Sequence, residues 1–298
     1  MKIFIILACV PLYMANSFCD KFVSSKGGNK YNFLYNCIKF LIAALCTLPL
    51  FLCDSAPKFK MGAILCGISC GVMYAISKMI ILKGYEMTSV TFMTLCHSAG
   101  MILPCVIGHF FWSETMSVLS LVGILLAVTS IVLLKDSKSD KKSFDLMGIL
   151  IGIVVFLTSG GIMVIQKLLG LYFAEQSVGA YNFYSFVAAF LILSFFISPN
   201  KNGGATQNAV LLPKKEHKKD MQVVVPCAAG SAVSLCVISF VMTSLAGSVP
   251  STILFPLFNG SGIICVCIGS VFLFKEKLTI KKIIGLILGL CGLFLVNF

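Results

Sequence analysis

Two stretches of the chain share one pattern: FWSETMSVLSLVGILLAVTSIVLL at 111–134 and LFKEKLTIKKIIGLILGLCGLFLV at 273–296. Each carries a single glutamate, Glu114 or Glu276, ahead of a long apolar run that contains glycine. A shift of 162 positions superimposes the two glutamates. A charge and glycines that match in one register indicate an internal repeat.

The same shift aligns the chain without a gap from Ser69 to Leu134. At the front of each half, Tyr-Asn-Phe occurs at 31–33 and again at 181–183. The matched pairs include Ser69 with Ser231, Ser77 with Ser239, His97 with Asn259, Gly100 with Gly262, and Gly123 with Gly285. The repeat therefore covers most of each half.

The composition indicates a membrane protein. Of the 298 residues, 58% are hydrophobic and 11% are charged, with a mean hydropathy of +1.01. Soluble domains are about 25% charged. The net charge is +12, but the basic residues are all lysine and form no basic domain outside the apolar segments. We therefore expect a lipid bilayer as partner and no nucleic acid.

Ten apolar stretches are long enough to cross a bilayer core of about 30 Å as helices. Their apolar runs are continuous rather than alternating, which excludes the strands of a barrel. The predicted spans are 3–19, 31–53, 61–82, 88–112, 118–134, 146–168, 177–198, 222–244, 250–273 and 279–297.

The polar segment KDSKSDKKSFD divides the chain almost in half. The predicted domains are a first five-helix repeat at 1–134, a linker at 135–145, and a second five-helix repeat at 146–298. Because five is odd, the second half begins on the opposite side of the membrane, and the copies are inverted. The predicted fold class is an all-α polytopic membrane protein with ten transmembrane helices in two inverted five-helix repeats, an architecture of alternating-access carriers.

The two glutamate-marked stretches resemble those of the drug/metabolite transporter (DMT) superfamily, EamA type, and the resemblance covers nearly the whole chain. It implies a helical bundle with a central cavity between the halves and transport of a small metabolite. One departure is the absence of arginine, with Lys39 standing early in the second helix. The lysine distribution also places both termini outside the cytoplasm, whereas the family is often drawn with both termini inside.

His97 and Asn259 are the leading candidates for substrate binding. They occupy equivalent midplane positions of the repeat, so we expect them to face each other across its pseudo-two-fold axis. Lys39 would attract a carboxylate or phosphate, whereas Lys78 could instead extend its ammonium to the membrane surface. Helix packing is the alternative for each polar candidate. The supporting polar candidates are Asn16, Tyr74, Gln166 and Asn182.

Other residues are expected to be structural. Glu114 and Glu276 precede helices, where a carboxylate favours the positive end of the helix dipole. Four glycines, which let helix backbones approach closely, complete this group: Gly100, Gly262, Gly123 and Gly285.

The acidic residues all fall in loops or at helix ends, which argues against a cationic multidrug exporter that couples through a buried carboxylate. The cysteines show no C-x-x-C spacing and no metal-ligand partners. No nucleophile–base constellation or phosphate-binding glycine loop occurs, so we expect no enzyme activity, cofactor or metal.

We therefore predict a secondary-active transporter of a small organic metabolite, such as an amino acid or another carboxylate-bearing solute. We expect export by alternating access, a multi-pass location in the plasma membrane, and possible homodimers. The alternatives left open are a membrane-embedded enzyme, a channel or scaffold and, among transporters, a cationic multidrug exporter.

Overall fold

Long apolar runs without interior breaks dictate an all-helical chain, and the computed structural model shows one. It describes residues 2–54, 59–87, 96–114, 117–133, 146–197, 214–274 and 280–296. Within these ranges no strand occurs. The helices are α1 (Lys2–Ala8), α2 (Val10–Cys53), α3 (Met61–Met87), α4 (Ile102–Phe111), α5 (Val118–Leu133), α6 (Leu146–Tyr172), α7 (Val178–Ile197), α8 (Lys214–Ala246), α9 (Ser251–Phe274) and α10 (Ile280–Val296).

Each predicted span corresponds to an apolar helix among the described residues. Four of these apolar helices are shorter than a typical membrane span: Cys96–Phe111, Val118–Ser130, Ser251–Val266 and Ile283–Gly292. The predicted linker at 135–145 and Glu276 lie outside the described residues. The prediction of an all-α polytopic membrane protein is confirmed. Six helices have the length and composition needed to cross a membrane: Lys2–Asp20, Phe33–Cys53, Met61–Ile81, Met147–Tyr172, Val178–Phe195 and Met221–Ala246.

Helix α2 contains the second part of the span Lys2–Asp20 and the whole of the span Phe33–Cys53, and it cannot be straight. A straight helix would separate Asp20 and Lys39 by about 28 Å along its axis, at 1.5 Å per residue. Their charged groups are instead 3.1 Å apart. The axis must therefore bend between these residues, which brings the end of the first span beside the start of the second.

The helices form two compact units, and each unit draws on both halves of the sequence. Unit 1 comprises residues 1–14, 83–174 and 241–298. Unit 2 comprises residues 15–82 and 175–240. The compact units therefore do not coincide with the two sequence repeats.

In unit 1, the helices of the two glutamate-marked stretches pack against each other. The Ser130 hydroxyl on α5 donates a hydrogen bond of 2.6 Å to the Gly285 carbonyl on α10. A Cβ at Gly289 would lie 2.5 Å from the same hydroxyl oxygen. Gly123, the repeat equivalent of Gly285, is buried on α5. The two glutamate-marked stretches thus form a pair of helices, α5 and α10, whose close approach to each other requires small residues.

The aligned glycines Gly100 and Gly262 also mark close contacts in unit 1. A Cβ at Gly100 would overlap the Ser159 hydroxyl on α6 and lie 2.7 Å from the Gly160 nitrogen. A Cβ at Gly262 would lie 2.7 Å from the Tyr13 ring. Each position therefore accommodates no larger side chain without displacement of its neighbour.

The core of unit 2 combines aromatic rings with alanine side chains. Phe40, Tyr74 and Phe186 form a cluster with ring centroids 5.7–6.2 Å apart. Small side chains allow α3 to approach α7, since a Cβ at Gly71 would lie 2.6 Å from the Ala188 Cβ. This core fixes the helices that carry the polar groups described next.

Candidate functional site

The charged cluster comprises Asp20, Lys39 and Lys78, three residues of unit 2 that lie on three different apolar spans. The Lys39 ammonium is 3.1 Å from one carboxylate oxygen of Asp20, Oδ1, and 3.5 Å from the other, Oδ2. The Lys78 ammonium is 3.7 Å from Oδ2. One carboxylate is thus shared by two ammonium groups.

Lys39 is enclosed by protein groups. Its side chain is 1% exposed, and its ammonium also donates a hydrogen bond of 2.7 Å to the Asn16 side-chain oxygen. The same oxygen accepts a hydrogen bond from Ser231. The Tyr35 ring lies 5.7 Å from the ammonium, a cation–π distance. These contacts hold Lys39 in one position.

Asp20 is oriented by neutral donors as well as by the lysines. The Tyr35 hydroxyl donates a hydrogen bond of 2.6 Å to Oδ1, and the Ser231 hydroxyl is 3.5 Å from the same atom. Within the part of the chain that the structure describes, Oδ1 therefore faces three donors, whereas Oδ2 has the two longer lysine contacts. The unequal environments leave Oδ2 as the more available oxygen.

The cluster carries a formal charge of +1 if both lysines are protonated and the aspartate is ionised. Ionisable groups within transmembrane segments are rare because desolvation is unfavourable, and they usually mark functional sites. The side chains of Asp20 and Lys78 are 34% and 23% exposed, in contrast to enclosed Lys39. The arrangement can therefore attract an anion at its exposed side.

A second polar group in unit 2 surrounds Ser239. Its hydroxyl donates a hydrogen bond of 2.5 Å to the side-chain oxygen of Asn182. The Tyr74 hydroxyl lies close to Ser239 as well. The structure thus brings Tyr74 and Asn182 together through a residue that the sequence analysis did not single out as a candidate.

The remaining predicted substrate contacts lie in unit 1. The His97 carbonyl accepts a hydrogen bond of 2.8 Å from Ser159, and the adjacent Ser98 hydroxyl is buried without a partner among the described residues. The buried Asn259 amide donates to the Phe255 carbonyl at 3.0 Å. Gln166 is also buried. The predicted approach of His97 to Asn259 stays a prediction.

Glu114 forms an ion pair with the buried Lys167 in unit 1. Its carboxylate lies 2.6 Å from the Lys167 ammonium on α6 and accepts a hydrogen bond of 2.7 Å from the Ser251 backbone at the start of α9. Lys167 also donates to the Val249 carbonyl at 2.8 Å. The carboxylate therefore meets the positive end of α9.

The sequence analysis missed Asp20, Tyr35 and Ser231 as members of the charged cluster. It placed Asp20 at a helix end, which is where its span finishes, but did not predict its two lysine partners. A signal was available, because consecutive spans joined by a short turn bring the end of one beside the start of the next. Asp20 and Lys39 occupy such positions.

Comparison with known protein families shows to which family the chain belongs. The sequence profile of the EamA-like transporter family matches residues 3–135 and 146–298. The chain belongs to the EamA-like transporter family.

A solved structure described as "Crystal structure of protein" has the same fold as this EamA-like transporter, with a TM-score of 0.69. The match covers 99% of this chain and 97% of that one at 11% identity, and it shows the fold alone. No curated protein matches the chain. As a member of a transporter family, and not of an enzyme family, the protein is a multi-pass membrane protein whose partners are the bilayer and a small solute.

Proposed function

We propose that this EamA-like transporter is a secondary-active carrier of a carboxylate-bearing metabolite, such as an amino acid or an organic acid. It exports the solute across the plasma membrane by alternating access between the two inverted repeats. The observation that carries the proposal is the cluster of Lys39, Lys78 and Asp20, which combines two ammonium groups with one carboxylate inside apolar spans.

The sign of the cluster selects the substrate class. In a low-dielectric site an uncompensated charge is strongly unfavourable, so the excess ammonium needs a negative partner. Lys78 is the accessible ammonium, and Lys39 holds the aspartate beside it. A solute carboxylate at Lys78 would neutralise the cluster, whereas a cation would add to its charge.

Polar residues of each unit are further proposed solute contacts. Tyr74, Asn182 and Asn16 are the candidates in unit 2, which holds the cluster, and His97, Asn259 and Gln166 are separate candidates within unit 1. The expected outcome is that His97→Ala and Asn259→Ala reduce transport but leave the amount of folded protein unchanged. Normal flux in both variants would remove these two residues from the site.

A cationic multidrug exporter is the second candidate, and one observation favours it. Asp20 is a carboxylate that lies inside the helical bundle of unit 2, partly exposed and able to attract a cation. Two lysines outnumber it, however, and Lys39 contacts it directly. Cation binding would require that at least one lysine lose its proton or move away.

A ligand panel separates the two candidates. Purified protein is heated with amino acids, organic acids or organic cations, because a ligand that binds only the folded state stabilises it by about 2.7 kcal/mol at a hundredfold excess over Kd. We expect stabilisation by carboxylate-bearing compounds and loss of that stabilisation in Lys78→Gln. Lys60→Gln, which changes an exposed lysine of the same unit, is the control and should behave like the wild type. Stabilisation by cations alone would contradict the proposal.

A further inference from the structure

We infer that Asp20 limits the cluster to one additional negative charge, so that it determines selectivity between monocarboxylates and dicarboxylates. The inference rests on the proposed function, because it specifies how the same cluster recognises its anion. The Asp20 carboxylate is an anion that belongs to the protein itself. It neutralises one of the two positive charges that Lys39 and Lys78 provide.

The formal charges of the cluster determine how many negative charges it can accept. Asn16, Tyr35 and Ser231, which contact the cluster, are neutral hydrogen-bonding partners. The two ammonium groups and one carboxylate therefore leave a single positive charge to be compensated. A monocarboxylate restores neutrality, whereas a dicarboxylate brings one negative charge that has no partner in the cluster. Buried unpaired charges are strongly unfavourable.

The position of the solute carboxylate follows from which lysine N–H groups already have hydrogen-bond partners in the protein. The Lys39 ammonium is enclosed and bonded to both Asn16 and Asp20. Lys78 has one ion-pair partner within the described residues, at the long distance of 3.7 Å, and is partly exposed. An ammonium has three donors. Lys78 therefore retains donors for a solute carboxylate without losing its contact with Asp20.

Asp20→Asn changes the charge with little change in shape. The asparagine side-chain oxygen can still accept the hydrogen bond from Tyr35 and the contact from Lys39. The carboxylate charge is lost, so the two ammonium groups give the cluster a formal charge of +2. A dicarboxylate then matches the site better than a monocarboxylate does. The expected result is a reversal of preference rather than a general loss of binding.

The experiment compares butyrate with succinate, which have the same number of carbons but differ by one carboxylate. Dissociation constants are measured by calorimetry on the purified full-length protein at neutral pH. We expect the wild type to prefer butyrate. In Asp20→Asn the ratio of the two constants should move towards succinate by about tenfold or more, since an unpaired buried charge is strongly unfavourable.

Two further variants make the test specific. Asp54→Asn removes another carboxylate of unit 2, one that accepts a 2.6 Å hydrogen bond from Ser177, and should leave the preference unchanged. Lys78→Gln removes the excess positive charge and should weaken binding of both acids, which also tests the inference if Asp20→Asn does not fold. Unchanged binding of both acids by Lys78→Gln would overturn it.

The outcomes separate this inference from the proposed function. If butyrate binds the wild type and the preference is the same in Asp20→Asn, the role of Asp20 is wrong but carboxylate recognition stands. If neither acid, nor any carboxylate of the panel, binds the wild type or Asp20→Asn, both proposals are wrong.

Discussion

At the scale of single residues, Ser113 connects α4 to the glutamate that pairs with Lys167. Its backbone adopts a left-handed conformation with φ of 52°. The backbone nitrogens of Trp112 and Glu114 both donate to the Gly108 carbonyl, at 3.2 and 3.0 Å. The turn at Ser113 therefore directs the Glu114 carboxylate back towards the helical bundle of unit 1.

Substitution at Ser113 should reveal the backbone strain. Ser113→Val should lower the free energy of unfolding by about 1–2 kcal/mol, because a left-handed conformation is unfavourable by that amount and a branched side chain tolerates it poorly. Ser113→Gly should be at least as stable as the wild type. Unfolding of the purified protein in detergent measures both, and equal stability of the two variants would contradict the assignment of strain.

At the scale of elements, the Glu114–Lys167 ion pair joins α6 to the start of α9. Lys167 is buried, with 3% of its side chain exposed, and Glu114 is largely enclosed, with 11% exposed. Lys167→Met should lower the free energy of unfolding by about 3–5 kcal/mol, because it leaves a buried carboxylate without its cation. The double variant Lys167→Met, Glu114→Gln should recover part of this loss. Additive losses in a double-mutant cycle would show that the two groups do not interact.

The packing of α3 against α7 gives a matched pair of glycine substitutions. Gly71→Ala should destabilise the protein by about 1–3 kcal/mol, because the new Cβ overlaps α7. Gly230→Ala, on α8, meets no atom within 4 Å and should be stabilising by about 0.5–1 kcal/mol, the usual preference for alanine within a helix. The measurement is again thermal or chemical unfolding. The opposite order of stability would contradict the helix contact at Gly71.

At the scale of the whole molecule, hydropathy and length were sufficient to predict the helices, because each span satisfies its backbone hydrogen bonds internally. The repeat drew attention to Gly285, whose carbonyl accepts a hydrogen bond from Ser130 in the structure, but not to Gly289, where a Cβ would lie close to the same hydroxyl. It did not predict the contacts of individual polar groups. Lys78 illustrates the reason, since its approach to Asp20 depends on how α3 is rotated about its axis, and a nearly uniform apolar helix gives no periodicity from which to read that rotation.

The composition of the compact units is a second feature that the sequence did not predict. The register of the repeat divides the chain near its middle, whereas contacts group residues 15–82 with 175–240. Packing depends on which apolar faces fit together, and apolar residues on all sides of a span leave that choice open. The sequence analysis named Lys39 and Asn16 as substrate-binding candidates, but their direct hydrogen bond became visible only in the structure.

The most direct test of the account is uptake of a labelled carboxylate-bearing solute into vesicles that contain the purified protein. The account predicts saturable uptake that unlabelled solute inside the vesicles accelerates, and about tenfold or more reduction in Lys78→Gln, because the cluster then lacks its excess ammonium. Lys60→Gln should transport normally. Uptake that does not saturate, no uptake, or equal uptake by Lys78→Gln would contradict the proposal that this protein carries a carboxylate through its lysine–aspartate cluster.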